Sequence, residues 1–201
     1  MTDTRERILQ AAVLALATHG YAGTTARSIA ALGGFAPGVI YYHYDDLDAL
    51  LVATAQYTSA ARETRYRSAV TGITSGVGLV RQLRWLYAED AESGHVAAVK
   101  ELIAGARPGT PLATAINAVT RGWEDLVEQV VRDLLRGKPM ARYVNVPVIA
   151  RAAVAYYLGM QTLTHLDQDA SRPDAAFAQA ERLAAIFDKL PRRRGARPGK
   201  Q

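Results

Sequence analysis

An all-α chain is predicted by three observations. Apolar residues recur at helical spacing through most of the sequence, and no segment sustains β alternation between turn signals. Glycine and proline pairs cut the chain into helix-length pieces at Ser93-Gly94, Pro108-Gly109, Gly137 with Pro139, and Arg172-Pro173. Between Thr24 and Tyr44 two short helical runs meet at a double glycine. Two short helices joined by a tight, Gly-bearing turn make a helix-turn-helix, whose second helix can enter the major groove of DNA.

The first helix carries Ile8, Leu9, Ala12, Val13 and Leu16 on one stripe, with stop signals at His19 and Gly20. Thr24 or Thr25 caps the next, whose apolar side is Ile29, Ala30 and Leu32. Gly33 and Gly34 supply the turn, and Phe35 and Ile40 point back into the same small core. Pro37 stands where a first helical turn needs no donor. Asp46 caps a long helix running from Leu47 toward Ala69, and Gly72 to Gly78 reads as a linker. Further helices are predicted at about 79–92, 95–105, 112–136, 146–167 and 174–189. The expected domains are a helix-turn-helix unit over 1–50, a helical regulatory and dimerisation unit over 51–190, and a basic, disordered tail over 191–201.

Charge is informative through its location. The net charge is +5, but Lys189, Arg192, Arg193, Arg194, Arg197 and Lys200 supply +6, so the remainder is +5 − 6 = −1. Residues 1–50 hold Arg5, Arg7 and Arg27 against Asp3, Glu6, Asp45, Asp46 and Asp48, a balance of −2. The basic character belongs to the tail and says nothing for the reader. With no cysteine there is no disulfide or thiolate metal site, which fits the cytoplasm. No apolar run reaches the length of a membrane span, and the N-terminus lacks the pattern of a secretory signal. Metallohydrolase, P-loop, nucleophile-elbow and dinucleotide fingerprints are absent, so neither enzyme, metal nor cofactor is expected.

Ala36, Pro37, Gly38 and Val39 form a nearly flat opening that suits base edges and thymine methyls. Tyr41, Tyr42 and His43 follow as phosphate donors, whereas Tyr44 falls on the apolar side. Thr24 and Thr25 form a second phosphate clamp, and Arg5, Arg7 and Arg27 are the cations at hand.

These first fifty residues resemble the TetR family of transcriptional regulators. The resemblance rests on TRERILQAA, HGYAGTT, IAALGGFAPGVIYYHY and DDLDALL, in that order and spacing, with Ala30 and Gly34 at the small-residue positions. Two positions depart from the family's habit: Ala36 where a serine often opens the reader, and Leu47 where a lysine often touches phosphate. Fewer phosphate ion pairs and a shallow salt dependence of the folded part are expected. The resemblance implies a homodimer that binds palindromic double-stranded DNA, and a small-molecule inducer that releases it. Helices 146–167 and 174–189 would form half of an intersubunit bundle. Pocket candidates are Tyr57, Arg62, Arg81, Trp85 and Trp123, with Tyr156, Met160 and His165 further on; the ligand class expected is apolar or aromatic. Two other readings stay open: a helical ligand-binding protein or enzyme that does not read DNA, and a nucleic-acid binder driven by the arginine tail.

Overall fold

In the computed structural model the described residues are 3–167 and 171–190, and they contain helices and no strand. The order is α1 (Thr4–Gly23), α2 (Ala26–Gly33), α3 (Gly38–His43), α4 (Leu47–Val70), α5 (Gly76–Glu92), α6 (His95–Gly105), α7 (Pro111–Leu135), a 3-10 turn (Pro139–Tyr143), α8 (Val146–Asp167) and α9 (Ser171–Asp188). The basic tail lies outside the described residues. The chain divides into two compact units, Met1–Ser68 with Trp85–Trp123, and Ala69–Arg84 with Glu124–Gln201.

In the first unit α1 is buried on more than one side, because Ala11 and Ala15 join the stripe read from the sequence. Ile8, Ala11, Ala12 and Ala15 enter a core with Ile29, Ile40, Tyr44 and Leu50. Val13 and Leu16 enter a second core with Leu51, Ala55, Ala98, Leu102 and Leu112. A helix apolar on two sides needs two partners, and α1 has them in α2 and α6. Leu47 packs against both cores. Leu32, expected to be inward, is partly exposed.

The stop signal at Gly20 is a kink, with φ of +69°, after which one helical turn continues to Gly23. The kink frees the Tyr21 amide, which donates to Glu101 on α6 at 2.8 Å. The Tyr21 ring lies against Gly105, where a Cβ would come within 2.3 Å of ring atoms. Asp46 caps α4 as the sequence predicts, accepting from the Ala49 amide at 2.7 Å.

In the second unit the sequence reading of two segments is corrected. Gly76, Val77 and Gly78 are not linker but the first turn of α5. The Asp188 carboxylate, at the end of α9, accepts from the amides of Gly76 at 2.7 Å and Val77 at 3.1 Å. Gly76 permits this approach, since a Cβ there would meet the Ala184 Cβ at 3.2 Å. Pro173 does not separate helices; it sits buried in the first turn of α9, where no backbone donor is needed. Lys138 closes the same junction, its ammonium donating to the carbonyls of Phe187 at 2.9 Å and Leu190 at 3.3 Å. The carboxylate thus faces the positive end of α5 and the ammonium the negative end of α9.

Burial works against ionisation of Asp188, but the Gly76 and Val77 amides, Ser75 and Lys138 outweigh it and hold its carboxyl below the usual range. A carboxylate with a depressed folded-state pKa adds stability above its unfolded pKa and loses it as pH falls through the folded value. Asp188→Ala should therefore cost about 1 kcal/mol, the usual worth of an N-terminal cap. The gap from wild type in thermal melts should be full at neutral pH and close below about pH 4.

Candidate nucleic-acid interface

The helix-turn-helix is locally over-determined. Thr25 and Ser28 form a reciprocal capping box: the Ser28 amide donates to Thr25 Oγ1 at 3.1 Å, and the Thr25 amide to Ser28 Oγ at 2.8 Å. The two glycines of the turn answer different needs. Gly34 adopts φ of +67°, and Gly33 leaves room for Phe35, whose ring a Cβ would meet at 2.1 Å. As Ala36 implies, α3 begins without a side-chain cap, on Pro37 at φ of −52°. Ile40 is fully buried and Tyr44 is 6% exposed, so these two residues anchor the six-residue helix.

What remains faces outward. Ala36, Pro37 and Gly38 are exposed, Tyr41 is 56% exposed and Tyr42 86%. His43 is half-buried, edge-on to the Tyr42 ring at 5.1 Å between centroids. Val39 is also half-buried and packs partly on the core, so it offers less surface than the sequence reading gave it. A Cβ on Gly38 would meet nothing within 4 Å, so nothing inside the chain calls for glycine there. Thr25 and Arg27 are exposed on α2. Thr24 departs from its expected part in the clamp: it is buried, and its hydroxyl donates to the Gly20 carbonyl at 2.7 Å. Arg5 and Arg7 are bonded within the domain, Arg5 Nε to the Tyr44 hydroxyl and Arg7 Nη2 to the Gly33 carbonyl, both at 3.3 Å.

Of the pocket candidates, Tyr57, Arg62, Trp85 and Trp123 share the first unit. Arg62 is buried, and its Nε and Nη2 donate to Asp90 Oδ2 at 2.9 and 2.6 Å. Its guanidinium lies 5.2 Å from the Trp123 ring, and Trp123 Nε1 donates to the Ser59 hydroxyl at 3.0 Å. The Tyr66 hydroxyl and Arg65 also donate to the Asp90 carboxylate, which is fully buried. The Tyr57 ring lies 6.3 Å from that of His95. Burial first, then Arg62, lowers the pKa of His95, so its imidazole is neutral at pH 7. The remaining candidates stand differently. Trp85 and Tyr156 are largely exposed, Arg81 is exposed and paired with Glu181 at 3.4 Å, and Met160 is buried. His165 is on α8, with its side chain outside those described.

Sequence reasoning missed Asp90, the acceptor that organises Arg62, Arg65 and Tyr66. The available signal was its register: it follows buried Leu86 by four residues on one helix, which puts an acid on an inward face.

Such a chain is an all-helical protein with an N-terminal helix-turn-helix whose second helix is anchored by apolar residues and bare on its outer side. Residues 8–54 match the sequence model of the "Bacterial regulatory proteins, tetR family". The HTH-type transcriptional repressor AcnR of Corynebacterium glutamicum is 35% identical over 91 residues, 45% of this chain and 44% of the relative. The chain thus matches less than half the length of that curated relative. Among solved structures, the TetR-family transcriptional regulator from Rhodococcus sp. superposes with a TM-score of 0.74 at 21% identity, covering 92% of this chain and 98% of that one. The fatty acid degradation regulator FadR from Bacillus halodurans gives 0.72 at 20%, covering 92% and 99%. At those identities the superpositions speak for the fold. Residues 8–54 are thus similar in sequence to the tetR family of bacterial regulatory proteins, and the fold of the chain is that of the solved regulators it superposes on.

The Asp90 cluster yields a stability prediction. Asp90→Ala removes the buried carboxylate to which the Arg62 guanidinium donates twice and should cost roughly 3–5 kcal/mol in denaturant unfolding. Glu89→Ala, which removes only the partly exposed partner of Arg65 at 3.5 Å, should cost under about 1 kcal/mol.

Proposed function

We propose that this protein is a homodimeric DNA-binding transcriptional regulator, a repressor that leaves a palindromic operator when a small apolar or aromatic ligand binds. The observation that carries the reading is the division of labour on α3. Ile40 and Tyr44 are buried, while Ala36, Pro37, Gly38, Tyr41 and Tyr42 present an outer face with no work inside the chain. Flat residues at the start of a groove-entering helix suit base edges, and tyrosine hydroxyls suit the flanking phosphates.

Residues 1–50 are the DNA-binding domain in this reading, α4 from about 46 links the halves, and 51–190 serve regulation and dimerisation. Dimerisation through 146–167 and 174–189 is supported by apolar side chains left exposed on both helices. Ile149, Tyr156 and Leu163 are exposed on α8, and Leu183 and Ile186 on α9. Ala150 and Gln161, on the same helix α8, are buried within the chain. Two-fold pairing would repeat the reader on a palindrome.

Relatives support the regulatory part. AcnR is named a transcriptional repressor. FadR of Bacillus subtilis was solved in complex with stearoyl-CoA, and the multidrug binding protein EbrR with imidazole. Tyr57, Arg62 and Trp123 are the residues of this chain we assign to the ligand side, with Arg81, Trp85, Tyr156, Met160 and His165 as further candidates.

Selection of duplexes from a random pool by the purified protein tests the reading. It should return a palindrome, and a pool without enrichment would refute it. Tyr42→Phe should bind every enriched sequence roughly tenfold more weakly without altered base preference, the behaviour of a lost phosphate contact. Gly38→Ala should leave thermal stability undiminished, since alanine is the better helix former, yet weaken binding and shift the preferred bases.

A further inference from the structure

We propose that Arg5 and Arg7 position the reader instead of neutralising phosphates; the inference rests on the DNA-binding reading above. Both stand in the first turn of α1, which Asp3 caps by accepting from the Arg5 amide at 3.4 Å. From there they reach opposite ends of the segment that would meet DNA. Arg7 donates to the carbonyl of Gly33, the last residue of α2, at 3.3 Å. That carbonyl sits at the negative end of a helix, where a cation is favoured. Arg5 donates through Nε to the hydroxyl of Tyr44, which closes α3, and its guanidinium lies 5.3 Å from the centroid of the same ring.

The segment between these two points needs such help. It contains a six-residue helix without a side-chain cap, entered through a glycine turn. Burial of Ile40 and Tyr44 fixes how deep α3 sits, but a helix of under two turns can still rock about its buried side. A grip at each end opposes that motion. Tyr44 joins both constraints, its ring in the core and its hydroxyl in reach of Arg5.

Arginine suits this task through its chemistry. Its planar fork can donate from Nε while the ring lies under the guanidinium, and lysine can do neither with the same geometry. The charge balance points the same way. Three cations lie in residues 1–50, all of them exposed, and two of the three, Arg5 and Arg7, also donate within the domain. In this proposal the work of Arg5 and Arg7 is fit of the reader more than ion pairing with phosphate.

The test uses the full chain and the palindromic duplex recovered by selection, with a scrambled duplex of equal length beside it. Affinity is measured between about 50 and 200 mM salt for wild type, Arg5→Gln, Arg5→Lys, Arg7→Gln and Tyr44→Phe. Circular dichroism melts show that each variant is folded. Positioning predicts a loss of about tenfold or more on the palindrome and under about twofold on the scrambled duplex, with the salt slope unchanged. Arg5→Lys should be as weak as Arg5→Gln, because charge alone does not restore the grip. Tyr44→Phe, which removes no charge, should match Arg5→Gln, and the pair should be less than additive when combined. The proposal is overturned if the arginine variants weaken both duplexes in parallel while the slope falls by about 0.9 for each lost phosphate contact. Rescue by Arg5→Lys would overturn it as well, as would wild-type binding by Tyr44→Phe. If wild type itself fails to discriminate the two duplexes, the DNA-reading falls, and this inference with it.

Discussion

A six-residue helix has no stability of its own in water, since nucleation costs more than so few hydrogen bonds return. Helix α3 therefore exists only because Ile40 and Tyr44 are drawn into the core made by Ile8, Ala12, Ile29 and Leu50. That burial decides everything else about the segment. It dictates which side of α3 is inward, and by subtraction which side is bare. It also explains why the surrounding turn is so tightly specified, with one glycine for a positive φ and the other for the Phe35 ring.

The same economy of positioning recurs away from α3. Charged groups in this chain mostly act at short range on backbone and on one another. Asp46 and Asp188 cap helices, Glu101 holds a freed amide, Lys138 closes a helix end, and Asp90 gathers Arg62, Arg65 and Tyr66. Within the first unit, α1 ties the core under α3 to the core shared with α6, and Leu47 touches both. A lysine at that point would exchange this apolar contact for a charge, so Leu47 has a structural reason inside this chain.

Much of this was legible in the sequence because its signals are local. Helix ends at His95, Pro111 and Val146 follow glycine, proline and capping residues, and the helix-turn-helix follows from spacing within about twenty residues. What escaped depends on residues distant in the chain. Gly76 to Gly78 reads as a linker until Asp188 is brought to its amides, and Pro173 reads as a breaker until it is seen in a first turn. Thr24 and Thr25 are indistinguishable as caps by composition, and only the Gly20 kink assigns one inward and the other outward. The pairing of Arg5 with Tyr44 spans 39 residues and leaves no local trace.

The central claim is that the bare side of α3 lies against base pairs, twice, from two identical chains. Hydroxyl-radical footprinting of the selected duplex tests it directly. The account predicts two protected stretches on one face of the duplex, their centres about 34–36 Å apart or a multiple of one turn, weakened together when Tyr42 is changed. A single uniform footprint, or one indifferent to Tyr42, would contradict it.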